Sequence, residues 1–224
     1  MIERFYSYRF EIFLMTQLVI LFGSLFFPAE FYEFILLPLF YMISIAAGIL
    51  MISKNKKLMW FFATLFAISV FFFGFEMISR RQSTENILIR FSIYFIFYIT
   101  VTWNMIKQVW QAKRVTKNVI MGLMSGYISL GFLAFFLFMS IELTHPAGAF
   151  SGIMMETNDI ALKSEGVLYY AFITLLTIGY GEIIPTIPVA QKAAVLVGLI
   201  GQFYLVIITA VVVEKYIKHS YENS

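Results

Sequence analysis

The 224-residue chain has no cysteine, which excludes disulfides and thiolate metal sites and leaves its redox compartment open. Charge is scarce as well. Only 13% of residues are Asp, Glu, Lys or Arg, against 61% hydrophobic ones, and the mean hydropathy is +0.85. Soluble domains hold about a quarter charged residues and about half apolar ones. One globular core cannot hide this surplus, so lipid is the solvent for much of the chain. The two histidines, His145 and His219, have no ligand spacing around them and read as surface residues; His145 lies in the outer loop, where a lone imidazole more often has no role, with pH sensing as the alternative. No nucleophile–base set, metal cluster or phosphate-binding loop stands out, so an enzyme is the least favoured class. The net charge of +3 and pI near 9.0 would suggest nucleic acid in a soluble protein. Here the basic residues fall in short runs between apolar segments, the pattern of cytoplasmic loops, and neither nucleic acid nor a small-molecule substrate is indicated.

What is present is a series of long apolar runs: Phe10–Phe27, Phe34–Ile52, Leu58–Ile78, Ile87–Ile106, Val119–Ile141 and Val189–Tyr216. Each is near the length a helix needs to cross a bilayer, and each must be helical because lipid offers backbone amides no partner. The run Glu165–Leu176 is too short to cross, and Ser164 is placed to cap it. It reads as a half-helix that enters from one side, with the following residues as its return. Irregular backbone at that depth must be buried in protein or line water.

Loop charges orient the spans. Arg4 and Arg9, then Lys54, Lys56 and Lys57, then Lys107, Lys113, Arg114 and Lys117, and finally Lys215 and Lys218 share one side if there are six spans. That side is cytoplasmic, with both termini. The other side carries Glu30, Glu33, Glu85, Glu142, Glu156, Asp159, Glu165 and Glu182, with Arg80, Arg81, Lys163 and Lys192 as basic exceptions. A cleaved leader is disfavoured, because Phe26–Glu30 has no clear small-x-small site. The eight residues Ile217–Ser224 are too few for a regulatory domain.

Between the half-helix and the last span stands Thr177-Ile178-Gly179-Tyr180-Gly181. Two glycines flanking an aromatic are expected to keep the backbone extended with its carbonyl oxygens turned to one side. The stretch Tyr169–Pro185, with paired aromatics, the Thr-led segment and a following acid and proline, resembles the pore signature of potassium channels. Val119–Tyr216 resembles their two-helix pore module. The resemblance implies an all-α membrane protein with six transmembrane helices plus a re-entrant pore helix and filter loop, assembled as a homotetrameric pore in the plasma membrane. Residues 1–112 would form a four-helix domain like a voltage-sensor domain, and 113–224 a pore domain. The pore domain's outer helix is expected at about 119–141, its pore helix at 165–176, its filter at 177–181 and its inner helix at 189–216. Potassium is the permeant ion, held by the carbonyls of Thr177, Ile178, Gly179 and Tyr180 and the Thr177 hydroxyl, with Gly181 closing the segment. No cofactor is implied.

The resemblance also assigns supporting positions: Tyr169, Tyr170, Ile173, Thr174, Leu176 and Glu182. Three depart from the family pattern. Leu176 stands where Thr or Ser is common, Ile173 where many members carry Glu or Val, and Glu182 where Asp is usual, expected to reach the Tyr170 hydroxyl. In the last span, Gly201 matches the family's hinge, with close packing as the equal alternative, while Gly198 reads as a packing residue. Gln202, Leu205, Thr209 and Val213 would turn toward the cavity, and Leu205 and Val213 would close it by dewetting. Gln202 and Thr209 have bonding to a neighbouring helix as their alternative. The fourth run lacks a charge at every third position: Arg90 is in register with Arg81, but Thr84, Ile87, Ile93 and Ile96 fill the other places. Strong voltage gating is not expected. Three readings follow: a potassium-selective channel, a weakly selective monovalent cation channel, or a non-conducting partner with a channel-like fold.

Overall fold

The computed structural model describes residues 8–28, 31–52, 56–79, 84–112, 116–157 and 159–222. Arg4, Glu30, Lys54, Arg80, Arg81, Lys113 and Arg114 lie outside these, as do the side chains of Glu33, Glu76, Thr84, Glu85, Lys218 and His219. The chain forms two compact units, Met1–Gly126 and Tyr127–Ser224, which divide inside one helix. The sequence reading divides the chain earlier, at the loop after residue 112.

The first unit contains α1 (Arg9–Phe22), α2 (Leu37–Ile52), α3 (Lys56–Ser79), α4 (Thr84–Gln111) and the start of α5 (Lys117–Thr144). α1 is shorter than the run Phe10–Phe27 that encodes it. It tightens into a 3-10 turn at Gly23–Leu25, because glycine weakens the helix and Tyr32 takes over its end. The Tyr32 hydroxyl donates to the carbonyl oxygen of Ile20 (2.6 Å), in the last turn of the helix, and lies 3.1 Å from that of Val19, which also accepts the Gly23 N–H. Before α2 the backbone makes a π-helical turn, Tyr32–Leu36. Pro38, in the first turn of α2, has no N–H to give to a regular ladder.

The core of this unit is aromatic, with neutral polar pairs among the rings. Tyr41 stacks on Tyr94 at 5.1 Å, and Phe62 meets Phe97 edge-on at 5.4 Å. The buried hydroxyls of Ser44 and Tyr98 lie 3.0 Å apart, and Ser69 donates to the Tyr94 hydroxyl at 3.3 Å. Paired hydroxyls bury at far lower cost than charges. Charged groups gather instead at the helix ends, where Lys117 pairs with Glu11 at 2.6 Å and Arg9 donates to Gln108 at 3.3 Å.

The second unit comprises the rest of α5, strand β1 (Phe150–Gly152), α6 (Ile160–Leu175), strand β2 (Ile183–Pro185) and α7 (Pro188–Glu222). β1 and β2 pair antiparallel, with Phe150 opposite Pro185, Ser151 opposite Ile184 and Gly152 opposite Ile183. The all-helical expectation did not include this ladder. Its strands are only three residues long, too short for an alternating pattern to register. α5 packs on α6 through Phe132 and Phe172, edge-on at 5.7 Å. Phe138 of α5, Phe150 of β1 and Tyr170 of α6 form a three-ring cluster with centroid separations of 5.1 to 5.6 Å.

Among the described residues, three helices are long and apolar enough to cross a membrane: Asn86–Gln111, Lys117–Thr144 and Pro188–Lys215. The last is also the least covered, with 17% of its most apolar window buried.

Candidate functional site: a capped half-helix and its return loop

α6 begins at Ile160, five residues before the expected start, and ends at Leu175. Ser164 therefore does not cap it. The carbonyl of Asp159 accepts the first helical bond, from the Lys163 N–H at 3.0 Å, and the Asp159 N–H itself donates to Thr157 Oγ1 at 3.0 Å. The signal that could have found this start is the Thr157-x-Asp159 pair ahead of the apolar run.

The far end of α6 closes with a pair of bonds. The Thr177 N–H donates to the Thr174 carbonyl at 3.0 Å and the Ile178 N–H to the Ile173 carbonyl at 2.9 Å. This is a Schellman closure, which requires a left-handed residue at its pivot. The pivot is Thr177, with φ +58°. Gly179 (φ +57°) and Gly181 (φ +94°) are also left-handed, whereas Ile178 and Tyr180 are not. The segment is thus not the extended strand expected. An extended strand turns successive carbonyls to opposite sides; alternation of hand is what allows them to share one side. A Cβ on Gly179 or Gly181 would meet nothing within 4 Å. Their glycine identity answers to backbone conformation, not to space.

Beside the segment lies an open pocket of about 330 Å³ lined by Tyr170, Ile173, Thr174, Thr177, Gly181 and Ile183, among others. Ile173 is buried there and brings no carboxyl. Glu182 pairs with the hydroxyl of Tyr169, not with that of Tyr170 as expected. The reason is position: Tyr170 points into the ring cluster, 6% exposed, and hydrogen-bonds to Thr174, while Tyr169 stays near the surface at 42%. The hydrogen bond to Glu182, with smaller contributions from burial and charge, pushes the Tyr169 phenol up to about 12. Burial raises that of Tyr170. The second carboxylate oxygen of Glu182 is buried and has no hydrogen-bond partner among the described residues.

α7 supports the base of the segment. Gln202 Nε2 donates to Thr177 Oγ1 at 2.9 Å, so its amide is spent on the loop. Tyr127 donates to the Leu175 carbonyl at 3.2 Å and its ring lies 5.5 Å from that of Tyr204. A Cβ on Gly201 would collide with the Leu175 carbonyl oxygen, so this glycine is a close-packing point. Gly198, read as the packing residue, has room: the nearest atom to an added Cβ is the Thr174 carbonyl oxygen at 3.9 Å. Thr209 bonds neither to a neighbouring helix nor to the loop; its hydroxyl donates to the Leu205 carbonyl one turn back at 2.7 Å. Leu205 and Val213 are exposed, as are Leu176, Ile178 and Tyr180.

The sequence reading missed Glu142, which it placed among the outer loop acids. The residue is in the last turn of α5, 3% exposed, and bonded to Lys163 and to two backbone amides. An acid two residues before a loop gives no sign of burial by itself.

Residues 147–218 match the family model described as "Ion channel". The match covers β1, α6, the Thr177–Gly181 segment, β2 and most of α7, and it points to a channel domain in a membrane protein rather than to an enzyme. No curated protein and no solved structure gives a significant match.

Proposed function

We propose that the chain is one subunit of a homotetrameric, potassium-selective channel in the plasma membrane. It has six spans, both termini on the cytoplasmic side and the Thr177–Gly181 loop facing outward. Potassium passes along the carbonyls of Thr177, Ile178, Gly179 and Tyr180, which replace its hydration shell when four loops meet on one axis. The observation that carries this reading is the alternation of hand along Thr177–Gly181, set directly after a closed half-helix, inside the segment that matches the ion-channel model.

The exposure of Ile178 at 46% and Tyr180 at 74% supports a multi-subunit state, since large apolar groups beside a functional loop call for a partner. Four copies would cover them and would place Gln202, bonded to Thr177, at the inner end of the ion path. Leu205 and Val213 would then narrow the lower pore.

A second reading, a weakly selective monovalent cation channel, is favoured by the filter's apolar support. The side chains of Ile173 and Leu176 offer the loop no hydrogen bond, and an open pocket flanks it. Flux from liposomes loaded with K⁺ or Na⁺ separates the readings. Potassium flux that exceeds sodium flux and is blocked by barium is the expected result. Equal fluxes favour the second reading, and no flux in either ion removes both.

A further inference from the structure

Glu142 is the one carboxylate in the second unit, among the described residues, that is both fully buried and fully bonded. Its Oε2 accepts the N–H groups of Ala149 (2.6 Å) and Phe150 (3.1 Å), and its Oε1 accepts from Lys163 Nζ at 3.0 Å. A buried charge persists only where charge-assisted bonds replace its water, and here three of them do. The partners lie on different elements. Lys163 is in the first turn of α6, the helix that runs into Thr177. Ala149 and Phe150 open β1, which pairs with β2 directly after Glu182.

From Ala149 the connection continues. Its carbonyl accepts both the N–H (2.9 Å) and the hydroxyl (3.0 Å) of Thr186, and the Ile153 N–H donates to the Glu182 carbonyl at 3.2 Å. One carboxylate at the end of α5 therefore ties down the helix entering the loop and the strand leaving it. We infer that Glu142 is a positioning residue for the Thr177–Gly181 loop, fixing the distance between its two ends from a site that does not touch the loop itself. The inference rests on the channel reading only for its effect on ions; its effect on the loop stands without it.

Geometry dictates the variants. In Glu142→Gln, the amide oxygen can still serve Ala149 and Phe150, but its NH2 then faces the Lys163 ammonium, donor against donor. Lys163→Met removes the ammonium and leaves the carboxylate in place. Lys163→Arg restores a donor. Hydrogen–deuterium exchange on the purified, detergent-solubilised protein reads the loop without requiring conduction. Positioning predicts that in Glu142→Gln and Lys163→Met exchange rises by about tenfold or more, the scale of one charge-assisted bond, in residues 176–186 as well as in 145–155. Lys163→Arg is expected to return 176–186 toward the wild type. Faster exchange confined to 145–155, with 176–186 unchanged in both variants, overturns the inference.

Liposome flux then tests the ion effect. The ratio of potassium to sodium flux is expected to fall severalfold in both variants and to recover in Lys163→Arg. A wild-type protein that passes neither ion removes the channel reading while the exchange result still decides the positioning role.

Discussion

At Thr177 the backbone adopts a left-handed conformation without the help of glycine, at a cost of roughly 1–2 kcal/mol. The cost is met locally. Two backbone bonds close around the residue, and Gln202 holds its hydroxyl. Gly179 and Gly181 take the same hand without that cost, and Ile178 and Tyr180 between them keep the ordinary one. The outer end of the loop is held by a different device, the Tyr169–Glu182 hydrogen bond. The carboxylate, which accepts the phenol's hydrogen bond, is the chief cause that pushes Tyr169 up to about 12. A value raised in the folded state means that this contact contributes fully below about pH 10 and is lost as pH rises through about 12. Tyrosinate absorbance, taken as the difference between wild type and Tyr169→Phe, should show a late-titrating phenol. Glu182→Gln should bring it back toward 10. A Tyr169 that titrates at 10 in the wild type would dissolve the pair.

Helices and strands translate these residues into a frame. α7 stays unbroken from Pro188 to Glu222, and at Gly201 it packs so tightly under the Leu175 carbonyl that a Cβ has no room. Gly201→Ala should therefore cost roughly 1–3 kcal/mol by overpacking. Gly198→Ala, with open space at its Cβ, should gain up to about 1 kcal/mol from helix propensity. Thermal unfolding of the two variants decides this: a stabilised Gly201→Ala would place the contact elsewhere. The distinction was not legible in sequence, where both glycines are small residues in an apolar helix. Legibility followed the range of the forces. The runs at α4, α5 and α7 and the Thr177–Gly181 segment announce themselves through local composition. The β1–β2 ladder, the choice of Tyr169 over Tyr170 and the burial of Glu142 depend on partners beyond a loop, Pro185 for Phe150, Glu182 for Tyr169 and Lys163 for Glu142, and loop closure must bring these together before contact energy is gained. The early start of α6 rests on a local pair, Thr157 and Asp159. The α1 end is the intermediate case: Gly23 is visible, but the capping Tyr32 acts from beyond a turn.

For the whole molecule, the first unit bears on how the proposed channel opens. A voltage sensor needs charges that cross the field, each worth about 2.3 kcal/mol per 100 mV, with three or four per subunit giving steep opening. From Phe91 to Ile106, α4 has no charged residue, and Arg90 lies at the edge of that stretch. The middle of α4 is instead pinned to its neighbours by neutral contacts. Tyr94 bonds Ser69 and stacks on Tyr41, and Tyr98 pairs with Ser44 beside Phe13 and Phe97. Sliding α4 by one turn would break these pairs inside a packed core, and the field would supply nothing to offset the loss. Conductance of the reconstituted protein should therefore change gradually between −100 and +100 mV, with a fitted gating charge below about one per subunit. Substituting Phe for Tyr94 and Tyr98 should lower thermal stability by about 0.5–1.5 kcal/mol for each lost bond and leave that shallow slope as it was. A steep sigmoid curve, or one whose slope changes when those hydroxyls are removed, would make the first unit a moving sensor and reverse this account of it as a fixed unit.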